Sequence, residues 1–178
     1  MCGIAPTARY RPGYAEFLDV GARVGDPMPV ARLSPQPTRQ FARVGQPSAH
    51  GFTALLEAYR STGGAARGEE VARLLEGHHQ GDYLGLARRI VAREVFGFKW
   101  RSSLWMPMFQ FDPHDLSVRS ELRQVLAELS CAFDGWELAA WFVEGNTWLA
   151  GRRPVDTLYT DLPAVRDAAR ADRFIAAG

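Results

Sequence analysis

Apolar residues along most of the chain return every three or four positions, the signature of helices that bury one face. Phe52, Leu55, Leu56 and Tyr59 define a first helix from about Ala49 to Ser61, with Ser48 as its N-cap and Gly63 and Gly64 as its stop. Val71, Leu74 and Leu75 place a second over about Arg67–Glu76, closed by Gly77. After the polar turn His78-His-Gln-Gly81, Asp82 caps a third that reaches about Val95, with Leu84, Leu86, Ala87, Ile90 and Val91 as its apolar side. Further on, Leu122, Val125, Leu126 and Leu129 mark a helix from Ser117 or Ser120 to about Phe133. Asp134 caps the next, Trp136 to about Phe142, which is too apolar to be wetted on all sides and belongs inside the core or under a partner. The turn-rich stretch Gly145–Pro154 leads into a short helix through Tyr159, opened by Pro154. A last helix starts at Thr160 or Asp161, with Val165, Ala168, Ala169 and Phe174 as its apolar positions.

One stretch departs from this period. Phe96, Phe98 and Trp100 alternate with other residues, and Trp105-Met-Pro-Met-Phe-Gln-Phe-Asp112 is a nearly continuous apolar run. A buried hairpin accounts for both, with strands over Phe96–Arg101 and Leu104–Phe111 and a turn near Ser102 and Ser103. Gln110 then lies in the interior, where its amide must find backbone partners. The fold class that follows is mainly α with one small β-hairpin. A helix-turn-helix-like unit comes first, then the hairpin, then a C-terminal helical domain; the divisions fall at 1–47, 48–112 and 113–178.

Composition changes the picture chiefly at the front. Residues 1–47 hold seven of the eleven prolines, a density that removes backbone donors and disfavours long helices and central strands. A poorly ordered or loosely docked arm is expected there, with at most a helical turn around Tyr14–Val20. The net charge of +1 is uneven: 6 basic against 3 acidic residues in 1–47, 6 against 6 in 48–95, and 9 against 11 in 96–178. Such a weak field does not by itself point to nucleic acid. Two cysteines, Cys2 and Cys131, make neither a disulfide framework nor a four-ligand zinc site, and both are expected to be reduced. No apolar run reaches membrane-spanning length and no signal-peptide pattern opens the chain, so the expected location is the cytoplasm.

No complete catalytic constellation is legible. Met1-Cys-Gly-Ile4 matches the start of class II glutamine amidotransferases over four residues, but none of the further loops that such catalysis needs is recognisable. His78 and His79 lack Cys, Asp or Glu partners at ligand spacing, and Asp112 and Asp115 lack a base, nucleophile or phosphate loop nearby. Catalytic residues, metal and cofactors are accordingly all read as none. A helix, a glycine-containing turn and a second helix bearing Arg88, Arg89 and Arg93 have the outline of a helix-turn-helix, and those arginines are the candidate DNA contacts.

Four segments then form a pattern: Met106-Pro-Met-Phe-Gln-Phe-Asp112, Trp136-Glu-Leu-Ala-Ala-Trp-Phe142, Asn146-Thr-Trp-Leu-Ala-Gly-Arg-Arg-Pro-Val-Asp156, and the closing Ala-Ala-Arg-Ala-Asp-Arg-Phe174. Over roughly residues 66–178 the chain resembles the toxin-binding domain of the Xre/MbcA/ParS antitoxins. The resemblance implies a non-catalytic bacterial protein of a toxin-antitoxin system that binds a cognate toxin, commonly a RES-domain enzyme that consumes NAD. It further implies autoregulation at operator DNA as a homodimer. It places the toxin-binding face on the connector and terminal helices, with Trp141, Asn146, Leu149, Gly151, Arg152, Pro154 and Asp156 as the partner-binding residues. The proline-rich arm stands where the family carries an Xre-type DNA-binding domain. The alternative is a DNA-binding transcriptional regulator with no toxin partner.

Overall fold

The computed structural model describes residues 48–178. The expectations for the proline-rich arm, the turn at Tyr14–Val20 and Cys2 lie outside the described residues. The protein is mostly helical with a small antiparallel sheet of three strands. In chain order the elements are α1 (Ala49–Tyr59), β1 (Ala65–Arg67), α2 (Gly68–Gly77), α3 (Tyr83–Val91), β2 (Phe98–Trp100), β3 (Ser103–Pro107), α4 (Ser120–Leu129), α5 (Gly135–Val143), α6 (Pro154–Thr157) and α7 (Leu162–Ala177).

Helix starts follow the capping chemistry in the sequence. The side chains of Ser48, Asp82, Asp134 and Asp161 each accept a backbone N–H of the first turn of α1, α3, α5 and α7. Asp134 and Glu137 close a reciprocal capping box on α5. Helix ends follow it less well. Gly77 is the last residue of α2, and the left-handed conformation that reverses the chain falls to His79, at φ 57°. The third helix stops at Val91, four residues before the expected end, and Arg93 takes φ 57°.

The sheet also differs from the expected single hairpin. β3 is its central strand, paired with β2 on one side and with β1 on the other, in the order β1-β3-β2. The hairpin turn is Arg101–Ser102, with Arg101 at φ 53°. β3 ends at Pro107, and Met108–Gln110 form one turn of 3₁₀ helix in place of the expected strand continuation to Phe111. The Met108 N–H bonds the Gly64 carbonyl, so the chain leaves the sheet with its donor satisfied.

Alternation along β3 divides the interior in two. Trp105 packs toward a large core formed by α1, α4, α5 and α7 with Phe96, Phe98 and Phe109; Leu104 and Met106 pack toward a smaller one of Val71, Ala72, Leu75, Leu86, Val95, Phe111 and Leu116. Gln110 lies between them, fully buried. α5 enters the large core as its composition requires, with every residue from Leu138 to Val143 buried. It approaches β2 through a glycine contact: a Cβ on Gly135 would sit 2.2 Å from the Gly97 carbonyl oxygen. Trp100 stacks on Phe52 at 4.7 Å and the Trp136 ring stands edge-on to Phe98 at 5.5 Å, which extends the aromatic contacts toward the surface.

Tyr59 is fully buried and its hydroxyl donates to the Ala139 carbonyl at 2.7 Å, joining α1 to α5. Burial pushes this phenol well above the ordinary tyrosine range. The folded state therefore holds Tyr59 neutral where an unfolded chain would ionise. That contribution is intact below about pH 9 and is lost as pH rises past about 10. Tyr59→Phe is expected to cost about 1 kcal/mol at neutral pH through the lost hydrogen bond, and to make the alkaline loss of stability shallower. Urea unfolding of both forms at neutral and alkaline pH checks this; parallel losses in the two would contradict the assignment.

Candidate protein-binding face

The connector after α5 is built around Asn146. Its side-chain oxygen accepts the Trp148 N–H at 2.9 Å and caps the 3₁₀ turn Thr147–Leu149. Its carbonyl accepts the Leu149 and Gly151 N–H groups, and its own N–H bonds the Arg152 carbonyl. Such closure needs left-handed backbone at Ala150 and Gly151, at φ 55° and 81°. A Cβ at Gly145 would meet the Gly151 carbonyl oxygen at 2.7 Å, so a side chain there would force the loop open.

This loop is tied to the last helix by one carboxylate oxygen. Asp172 Oδ2 accepts both the Asn146 Nδ2–H at 2.8 Å and the Trp141 indole N–H at 2.8 Å. Asp172 is buried on the inner face of α7, beside Ala168 and Ala169. One acidic side chain thus links α5, the connector and α7, and the buried indole and amide have a charge-assisted acceptor. The tightness of the turn decides which way its side chains face: Leu149 is buried and Trp148 is 58% exposed.

The expected partner-binding residues separate into two groups. Trp141, Asn146, Leu149 and Pro154 are buried and hold the connector in shape; Gly151, Arg152 and Asp156 are at the surface. The Arg152 guanidinium turns back to the Leu149 carbonyl at 3.1 Å. Asp156 accepts two N–H groups from Arg153, whose guanidinium also reaches the Ala58 carbonyl, fastening α6 to α1.

The open surface next to them is made by residues outside that set. Trp148, Phe174 at 79% exposure and Ile175 at 56% surround a shallow depression of about 540 Å³, completed by Asp167, Arg170 and Ala171. Phe174 was expected on the apolar side of α7, but it stands in solvent because α7 outruns the helices beneath it. Its last core residues are Ala168, Ala169 and Asp172. The rim is fixed by ion pairs: Arg170 and Arg173 both reach Glu128 of α4, at 2.8 and 2.9 Å. An exposed cluster of large apolar side chains with a polar rim is the composition of a protein-binding face.

Comparison with protein-family models, curated proteins and solved structures gives no match in any of the three.

The candidate DNA contacts are divided as well. Arg88 and Arg93 are exposed, but Arg89 is half-buried and donates to the Gln80 carbonyl at 2.8 Å, closing the turn between α2 and α3. Around them α3 exposes Tyr83, Leu84 and Val91, so two residues read as its apolar side are in solvent while Leu86 is the one fully buried.

Proposed function

We propose that this chain is an antitoxin-like, non-catalytic protein-binding module that binds and neutralises a cognate toxin, with a RES-type NAD-consuming enzyme as the expected class. The observation that carries this reading is the exposed trio Trp148, Phe174 and Ile175 around one depression. Burying three such side chains in a partner supplies the aromatic and aliphatic anchors that dominate binding energy in protein interfaces. The buried Trp141–Asp172–Asn146 network supports it indirectly, because it holds Trp148 in place before binding and so lowers the ordering cost. In this reading the residues of the antitoxin-like pattern divide their labour: Trp141, Asn146, Leu149 and Pro154 shape the face, and Gly151, Arg152 and Asp156 border it.

Co-expression with the product of the neighbouring reading frame is expected to yield a stable complex and to relieve growth arrest. Replacing Trp148 and Phe174 together with alanine should weaken that complex by about a hundredfold or more, with little change in melting temperature because both side chains are exposed. No complex and no protection would sink the proposal, and an unchanged affinity in the double variant would remove this face from it.

The alternative, a DNA-binding regulator using α2, the turn 78–82 and α3 as a helix-turn-helix-like unit, has weaker support. Its outer surface carries Tyr83, Leu84 and Val91 beside Arg88, and Arg89 is engaged within the turn. If it holds, a mobility-shift titration on the upstream DNA will show a salt-sensitive specific complex that replacement of Arg88 and Arg93 weakens.

A further inference from the structure

On a different part of the surface, where the 3₁₀ turn Met108–Gln110 leaves β3, a cleft of about 530 Å³ opens between the loop 112–119 and the α6 segment. It shares no lining residue with the Trp148 face. Met108, Phe109, Phe111, Pro113, Leu116 and Val155 make its walls apolar, and its size lies within the range of small-molecule pockets. Three polar side chains line this apolar surface: Thr62, whose hydroxyl donates to the Tyr59 carbonyl at 3.0 Å, and the pair Arg119 and Tyr159.

Their geometry defines what the cleft would accept. The Tyr159 hydroxyl donates to the Phe109 carbonyl at 2.8 Å, which fixes the ring as one wall. The Arg119 guanidinium lies over that ring, 4.4 Å from its centre, so it is oriented by stacking. Its polar contacts are loose: Nε reaches the Phe111 carbonyl at 3.5 Å and Nη2 stands 3.6 Å from the Asp112 carboxylate. Both distances lie beyond those of good charge-assisted hydrogen bonds, and the planar fork makes no bidentate pair. A carboxylate brought beside Arg119 could take two short N–H bonds that Asp112 does not. Asp112, 3.6 Å from this guanidinium, already offsets part of its charge, which favours a ligand with one negative charge over one with more.

We propose that this cleft binds a compact monocarboxylate with an aromatic or branched aliphatic body, its carboxylate on Arg119 and its apolar body against Met108, Phe111, Leu116 and Val155. Phenylacetate is a suitable probe, with phenylacetamide as its neutral counterpart. Titration of the full chain, followed by calorimetry and by amide NMR shifts, is expected to show saturable phenylacetate binding with shifts grouped at Phe111, Leu116 and Tyr159. Phenylacetamide should bind at least about tenfold more weakly, since it forgoes the charge-assisted pair. Arg119→Met should reduce phenylacetate affinity to the amide's level, and Val155→Phe, which fills the cleft from the opposite wall, should abolish binding of both. Absence of saturable shifts up to about 10 mM, equal affinity for acid and amide, or unaltered binding in a folded variant of either kind would overturn the assignment.

Discussion

Replacing Gln110 with leucine is expected to lower the unfolding free energy by about 4 kcal/mol and the melting temperature by on the order of 10 °C. The side chain is fully buried, and its amide completes three hydrogen bonds: Oε1 accepts the Phe96 N–H at 2.7 Å, and Nε2 donates to the carbonyls of Phe96 and Pro107, both at 2.9 Å. Leucine nearly matches the volume and makes none of them. Two carbonyls and one N–H would be left without these partners in the interior, at about 1–3 kcal/mol each, offset in part by removing a polar group that is itself costly to bury. Gln110→Glu should be intermediate at low pH and worse at neutral pH, because a buried carboxylate resists ionisation and cannot donate toward both carbonyls. Urea denaturation measures the loss. A change below about 1 kcal/mol in the leucine variant would show that the stranded backbone groups find other partners.

Asp172→Ala carries the second large effect, about 3 kcal/mol. The Trp141 indole and the Asn146 amide would both lose the acceptor they share. The consequence reaches further than stability, because Asn146 also fixes the turn that presents Trp148. Asp172→Asn keeps one acceptor oxygen and should recover part of the loss. Denaturation of the three forms, with partner affinity measured alongside, separates the two consequences: the alanine variant should lose both, and a Trp148→Ala variant only the second. A stable Asp172→Ala protein with unchanged binding would dismiss the network as the support of the face.

The helices were legible in the sequence because their caps and their apolar period agree. Ser48, Asp82 and Asp134 are the N-caps that the sequence points to, Asp161 is the one of its two candidates, Thr160 and Asp161, that caps α7, and Leu122, Val125, Leu126 and Leu129 are all fully buried on one side of α4. Gln110 was legible for a similar reason: an amide in an apolar run has few ways to be satisfied other than by backbone. β1 was not legible. Ala65-Ala-Arg67 has neither β-branched nor aromatic side chains, and it is a strand only because β3 offers it an edge to pair with. Apolar period also failed at chain and helix ends. Leu84, Val91 and Phe174 fall on the expected stripes yet are exposed, since a stripe is buried only where another element lies over it.

The candidate face shows the same division. The pattern around Asn146, Gly151 and Pro154 marks a tight connector, and the structure places them in one. The residues that the connector turns outward, chiefly Trp148, depend on a three-dimensional closure that spacing alone does not reveal. Asp172 left a fainter signal: it sits three and four residues beyond Ala169 and Ala168 on the inner side of α7, where an acid requires a buried partner.

The chain's exit from β3 bears on how the molecule comes apart. Within four residues Phe109 enters the large core, Met108 and Phe111 enter the small one, and Gln110 binds the backbone between them. Neither core can loosen without withdrawing a side chain from the other. Heat or denaturant should therefore melt both in a single cooperative transition, and the Phe96 amide proton should exchange with solvent only at the rate of global unfolding.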